Sequence, residues 1–176
     1  HLPKSRMNIT TINAAKKYIT NITLNQKVKY FNLGFFGGEP LIYFKEIVYP
    51  LIVHFNSVCK EKNIKTRISF TSNGYLINDE IITLLKNSNV NSFQITLDGC
   101  KEQHDKVRYP FKGGSSYDRI VSNIKKLISN QIQVVLRINY TAENILTVSN
   151  ISNDLININE TDKKNLSINF QRVWQD

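Results

Sequence analysis

Cysteine is nearly absent from this chain. Cys59 and Cys100 are the only two in 176 residues, and they stand too far apart for a metal-binding spacing or a disulfide framework. Cys59 continues an apolar helical pattern and is expected to be a small core residue; Cys100 follows a strand. A reducing, cytoplasmic setting is the corresponding expectation. No stretch approaches the ~18 apolar residues of a membrane span. The first residues, His1-Leu2-Pro3-Lys4-Ser5-Arg6, have a basic flank without the apolar run of a signal peptide. The Gly-rich turn and lysine of a phosphate loop are missing. No internal repeat, low-complexity tract or linker divides the sequence, so residues 1–176 read as one domain. Hydrophobic residues make up 41% and charged residues 21%, proportions that let a chain of this length bury a core and stay in solution.

One imbalance stands out. Lys and Arg number 23 against 14 Asp and Glu, a formal net charge of +9. Such a chain invites a nucleic-acid or acidic-peptide partner. The lysines are scattered, however, and no block of about five like charges occurs, which fits solvated helix faces better than a nucleic-acid surface.

What is present is an alternation of strand and helix. Residues 8–20 place Ile12, Ala15 and Ile19 on one helical face. Tyr30–Phe36 reads as a strand. A helix is expected over Phe44–Lys62, where Pro50 must start or kink a segment. Strands follow at Thr66–Thr71, Ser92–Asp98, Gln133–Asn139 and Leu166–Arg172. Between them lie a helix capped by Asn78, a helix capped by Ser115 or Ser116, and a helical stretch over 144–157. This order predicts an α/β fold with a parallel sheet.

The strands alternate where a doubly covered parallel strand would be apolar throughout. Phe93, Ile95 and Leu97 share one face; Gln94, Thr96 and Asp98 share the other. Arg67, Ser69 and Thr71 form a second polar face, and Arg137 and Asn139 lie on a third, with Ser167, Asn169 and Gln171 on the last strand. Helical crossovers cover the apolar faces, so the polar faces must look at one another across a wet lumen. An antiparallel sheet with one solvated face would also alternate, but the intervening helices argue against it.

The turns after these strands hold the chemistry. Phe36-Gly37-Gly38-Glu39-Pro40-Leu41 ends the first strand with two flexible residues and a carboxylate able to accept from an ammonium group. Thr71-Ser72-Asn73-Gly74 ends the second, and Thr96-Leu97-Asp98-Gly99 the third. The next loop carries His104, Asp105 and Arg108, the last a natural clamp for a carboxylate. Any one of these turns alone is an ordinary strand-to-helix connection. Their succession at the carboxyl ends of consecutive strands, where parallel sheets bind ligands, is not.

This set resembles the radical S-adenosylmethionine (SAM) superfamily. The resemblance rests on Gly37-Gly38-Glu39-Pro40, Thr71-Ser72-Asn73-Gly74, Leu97-Asp98-Gly99, His104-Asp105 with Arg108, and the Gly-rich turn into Ser116-Tyr117-Asp118-Arg119-Ile120. It runs from about Met7 to Gln171, and is narrower for the branch with a SPASM or twitch extension, which includes anaerobic sulfatase-maturing enzymes and ribosomal-peptide maturases. The implied fold is a partial (β/α) barrel of parallel strands with helices outside. The resemblance implies that Gly37, Gly38 and Glu39 bind the amino group of SAM, and that Thr96 and Arg108 contact SAM. Asp98 and Asn139 would face the same lumen, and the last strand would touch adenine near Phe170 or Gln171. It further implies a [4Fe–4S] cluster, a 5′-deoxyadenosyl radical, a peptide or protein substrate, and an external electron donor such as flavodoxin or ferredoxin.

The family's Cys-x3-Cys-x2-Cys loop has no counterpart here. Residues 8–20 match the helix that follows that loop, so the sequence reads as a core truncated at its first β/α unit, inert by itself, with no metal ligands of its own and no catalytic residue assigned. A missing unit would leave an unpaired edge beside Tyr30–Phe36, for which self-association is expected. Two other readings stay open: a cluster-free, noncatalytic partner protein that binds SAM or a peptide, and an ordinary nucleic-acid-binding α/β module.

Overall fold

The computed structural model of the protein describes residues 6–25, 27–110 and 113–173. Its elements are α1 (Ile9–Thr23), β1 (Tyr30–Phe35), α2 (Tyr49–Glu61), β2 (Lys65–Ser72), α3 (Asp79–Asn87), β3 (Ser92–Leu97), α4 (Lys101–Val107), α5 (Tyr117–Ser129), β4 (Gln133–Tyr140), α6 (Asn150–Leu155), α7 (Glu160–Lys163) and β5 (Leu166–Arg172). The five strands form one sheet in the order β1-β2-β3-β4-β5, every pair parallel. Each strand therefore pairs with the next one in sequence, through a crossover that contains at least one helix.

The alternation within the strands separates a core face from a polar face. On the core face Phe35, Phe70, Phe93 and Val134 lie in register. Phe70 and Phe93 stack at 4.7 Å with ring planes 4° apart, and Phe35 stacks on the other side of Phe70 at 4.9 Å. Ile95 beside Leu136 and Leu97 beside Ile138 continue this face. All but the half-buried Phe35 are fully buried, together with Ile52 and Phe55 of α2, Leu85 of α3, and Ile124 and Leu127 of α5. Burying each such side chain stabilises the fold by about 1.5–3 kcal/mol. The opposite face aligns Thr71 with Gln94 and Val135, and Thr96 with Arg137, all half-buried.

Local chemistry sets the helix ends. Asn8 Oδ1 accepts the Thr11 N–H at 2.8 Å and Asn78 Oδ1 the Ile81 N–H at 2.8 Å, both N-caps. Pro50 sits in the first turn of α2, where no N–H is needed, and a π-helical turn over Phe44–Val48 precedes it. The expected helix over 144–157 is shorter: a 3₁₀ turn at Ile145–Thr147 leads into α6. The segment read as a loop after β3 contains α4.

Among the described residues, β1 and β5 each have an unpaired side. Tyr30 at the start of β1 and Phe36 just past its end are exposed, and Ile168 and Phe170 of β5 open onto an apolar groove with Ile145, Val148 and Leu155. Open parallel edges recruit other strands. We expect the 20.3 kDa chain to associate as its concentration rises. Light scattering that returns the monomer mass across a dilution series would contradict this.

Candidate functional site

Two polar clusters stand at the carboxyl ends of the strands. The first joins β1 to β2. Gly37 and Gly38 both take left-handed backbone conformations, with φ of +90° and +54°. Nothing lies within 4 Å of a Cβ placed on either, so backbone shape and not crowding calls for glycine. The turn delivers Glu39 to the end of β2. Glu39 Oε1 accepts the Ser72 hydroxyl at 2.8 Å and the Leu41 N–H at 3.1 Å, while Oε2 accepts the Asn73 N–H at 2.8 Å. Asn73 Oδ1 in turn accepts the Tyr75 N–H at 2.9 Å, and the Gly74 N–H donates to Ser72 Oγ at 3.0 Å. The Thr-Ser-Asn-Gly turn is thus a receptacle for the Glu39 carboxylate, which still has lone pairs to offer.

The second cluster joins β3, α4 and β4. Asp98 follows the last residue of β3. Its carboxylate pairs with Arg108 Nε, and its Oδ1 accepts Asn139 Nδ2 at 2.6 Å. Asn139 Oδ1 accepts Arg137 Nε at 2.9 Å. Four polar side chains therefore form one run across two strand ends and the end of α4. Among the described residues the terminal nitrogens of Arg108 have no protein acceptor, and the side chain is 43% exposed, so its fork remains open to an anionic ligand.

Helix α4 holds this run in place. His104 is fully buried, and its Nδ1 accepts the Asp98 N–H at 3.1 Å. Asp105 Oδ1 accepts the N–H groups of Ser116 and Tyr117 at 2.9 and 3.1 Å, capping α5 from a distance. Ser116 occupies the cap position, but its hydroxyl donates to the Arg108 carbonyl at 2.6 Å; the expected serine cap is replaced by Asp105. Gly99 takes φ +87°, and a Cβ there would come within 2.9 Å of Asn144 Nδ2.

Burial holds the His104 pKa below its usual value of 6.5; the Asp98 carboxylate pulls it up and the Arg108 cation pulls it down. A depressed folded-state pKa gives stability that is present above the unfolded value and lost as pH falls through the folded one. We expect thermal stability to decline below pH 6.5, and the His104→Asn variant to lose that part of the slope. Melting curves from pH 7.5 to 5.0 test this; parallel slopes in the two proteins would refute it.

Cavities flank Arg108. One, of about 450 Å³, is bounded by Asp98, Arg108, Asn139, Gln103, Thr141 and Asn144. Another, of about 320 Å³, lies against Asn73, Tyr75, Tyr109 and Arg108. Both fall within the range of small-ligand sites. Thr96 projects from the polar face beside Arg137. Of the two residues expected near adenine, Gln171 is in register with Asn139 and shares its polar face, whereas Phe170 is in register with Ile138 and looks toward the helices. Ser72, Asn73 and His104 had no separate role in the sequence reading. Recurrence of a polar-Gly turn at successive strand ends was the available signal for the first two.

The cysteines do not fit an iron–sulfur cluster. Cys59 is buried in α2, where desolvation pushes its thiol pKa up. Cys100 is buried after β3, with Sγ donating to Glu102 Oε2 at 3.1 Å. Among the described residues no three His, Cys, Asp or Glu side chains gather to hold a metal. No helix among them is long and apolar enough to cross a membrane.

Sequence comparison settles the family. Residues 5–148 match the radical SAM superfamily. The chain belongs to that superfamily. It is 30% identical over 132 residues to a cysteine-type anaerobic sulfatase-maturating enzyme of Clostridium novyi (strain NT), covering 75% of this chain and 32% of the relative. In three dimensions it resembles native anSMEcpe with bound AdoMet and the Kp18Cys peptide, at a TM-score of 0.72 and 16% identity over 96% of this chain and 44% of that one. Streptococcus suis SuiB bound to S-adenosylmethionine matches at a TM-score of 0.57 and 19% identity, over 96% of this chain and 35% of that one. This radical SAM chain thus spans about a third to less than half of the length of these relatives. Its fold is the α/β arrangement expected from the strand order, in the partial-barrel form that the resemblance implies.

Proposed function

We propose that this chain forms the SAM-binding part of a radical SAM enzyme that modifies a peptide or protein. The run Arg108–Asp98–Asn139–Arg137 carries the reading, because it leaves a guanidinium fork open at a cavity on the carboxyl ends of a parallel sheet. In this reading Arg108 and Thr96 receive the carboxylate of SAM. Glu39 and the carbonyls of Gly37 and Gly38 receive its ammonium group, and Asp98 and Asn139 orient Arg108. The polar rows above the sheet leave room for the rest of a large polar ligand. Family membership and the sulfatase-maturating relative support reductive cleavage of SAM as the reaction class of the whole protein. The SuiB and anSMEcpe relatives support SAM as the ligand, and the Kp18Cys peptide named with anSMEcpe supports a peptide substrate. The two cysteines of these residues cannot hold the cluster, so the 176 residues alone should be inert, and an electron donor such as flavodoxin or ferredoxin would serve the whole protein. The two free thiols fit a cytoplasmic setting.

The alternative is a cluster-free partner protein that binds SAM or a peptide without chemistry. The product of the full gene, purified without oxygen and reconstituted with iron and sulfide, separates the two. About four irons per chain, with deoxyadenosine released on adding SAM and dithionite, would support the enzyme. Iron-free protein that leaves SAM intact would support the partner.

A further inference from the structure

We propose that His104 is a positioning residue of this site: its Nδ1 holds the Asp98 main-chain N–H and so aims the Asp98 carboxylate at Arg108 and Asn139. The proposal rests on the reading of Asp98, Arg108 and Asn139 as part of the SAM site. Asp98 lies just past β3, where the strand ladder stops and its N–H needs another acceptor. That acceptor comes from α4. Arg108, which ends α4 with its own N–H on the His104 carbonyl at 2.8 Å, meets the carboxylate of the same Asp98. One short helix thus grips Asp98 twice, by backbone and by side chain, and two fixed points leave its carboxylate little freedom to turn.

The imidazole itself argues for this role. The donor at Asp98 forces Nδ1 to accept, which places the ring proton on Nε2. Nε2 is buried and has no hydrogen-bond partner among the described residues. A residue there for packing alone would serve better as leucine or phenylalanine, which leave no polar atom stranded. The cost of Nε2 is accepted because Nδ1 is needed. The charged and titratable groups around the ring are Asp98 at the end of β3, Tyr117 of α5 with ring centroids 5.8 Å apart, Asp105 on α4 itself and Arg108 just past it.

Two variants separate acceptor from filler. His104→Asn puts an amide oxygen near the position of Nδ1; His104→Phe keeps an aromatic ring and removes the acceptor. In the ¹⁵N-labelled chain, the Arg108 Nε–H resonance reports its pairing with Asp98, and equilibrium dialysis reports SAM affinity. The Arg108 signal should stay protected in His104→Asn and exchange freely with water in His104→Phe. SAM affinity should fall about tenfold in His104→Phe and stay within about threefold in His104→Asn. An unchanged Arg108 signal in His104→Phe overturns the proposal, and so does a His104→Asn variant as impaired as His104→Phe. If His104→Phe fails to fold, a pH series decides: the parent should lose Arg108 protection as the imidazole protonates while His104→Asn keeps it, and a flat parent profile overturns the proposal. A parent chain that binds no SAM, yet whose Arg108 signal follows residue 104, would remove the proposed ligand and leave the positioning role standing.

Discussion

Arg108→Ala is expected to weaken SAM binding by roughly 10- to 30-fold, the equivalent of about 1.5–2 kcal/mol for a charge-assisted contact at a partly open site. The substitution has two effects of the same sign. It removes the fork that faces the cavity, and it leaves the Asp98 carboxylate, only 19% exposed, with Asn139 as its remaining side-chain partner. Arg108→Lys should fall between parent and alanine, because an ammonium keeps the charge but cannot hold Asp98 and a ligand carboxylate through separate nitrogens of one planar group. Melting temperature should change little in either variant, since Arg108 is exposed and belongs to no part of the core. Equilibrium dialysis against labelled SAM measures the effect. Affinity within twofold of the parent in Arg108→Ala would exclude Arg108 as a ligand contact.

Phe70→Ala should have the largest effect on stability, a loss of about 3–5 kcal/mol. Phe70 is 2% exposed and is the middle ring of the Phe35–Phe70–Phe93 stack, with Phe44 tilted against it at 6.4 Å. Truncation would open a cavity bounded by strands on both sides, which cannot collapse without breaking the ladder. Whole domains have about 5–15 kcal/mol of stability, so the loss is a large fraction of the total and the urea midpoint should fall sharply. Phe70→Leu should retain more than half of the lost stability by filling most of the volume. Urea titration of the three proteins tests this. A loss under about 1 kcal/mol for Phe70→Ala would mean that the stack is not a unit of the core.

The strands and their two faces were legible because burial on one side of a parallel sheet writes a period of two into the sequence. Phe93-Gln94-Ile95-Thr96-Leu97 carries that pattern in five letters. The long helices were legible for the same reason at a period of 3.6, as in Ile120, Ile124, Leu127 and Ile128 of α5. Helix α4 was not. It has seven residues, and its one buried side chain is a histidine, so it presents no apolar stripe to detect. Its anchors are tertiary: His104 and Arg108 on Asp98, and Asp105 on the start of α5. The cap of α5 was misplaced on serine because the local rule sees only neighbours, while Asp105 reaches it from eleven residues away. Within the candidate site, placement at the strand ends was readable; the partners were not. Nothing near Glu39 in the sequence points to Ser72 and Asn73, and only strand register distinguishes Gln171 from Phe170.

The sheet order has a consequence for how the molecule comes into being. Because every strand pairs with its sequence neighbour, no segment has to wait for a distant one before it can dock, and a nascent chain can add one unit at a time as it leaves the ribosome. The two polar clusters then mature at different chain lengths. The Glu39 cluster is complete once Tyr75 has emerged. The Asp98 cluster, with both of its arginines, cannot close until Asn139 arrives. Synthesis would therefore build the proposed receptor for one end of SAM well before the proposed receptor for the other.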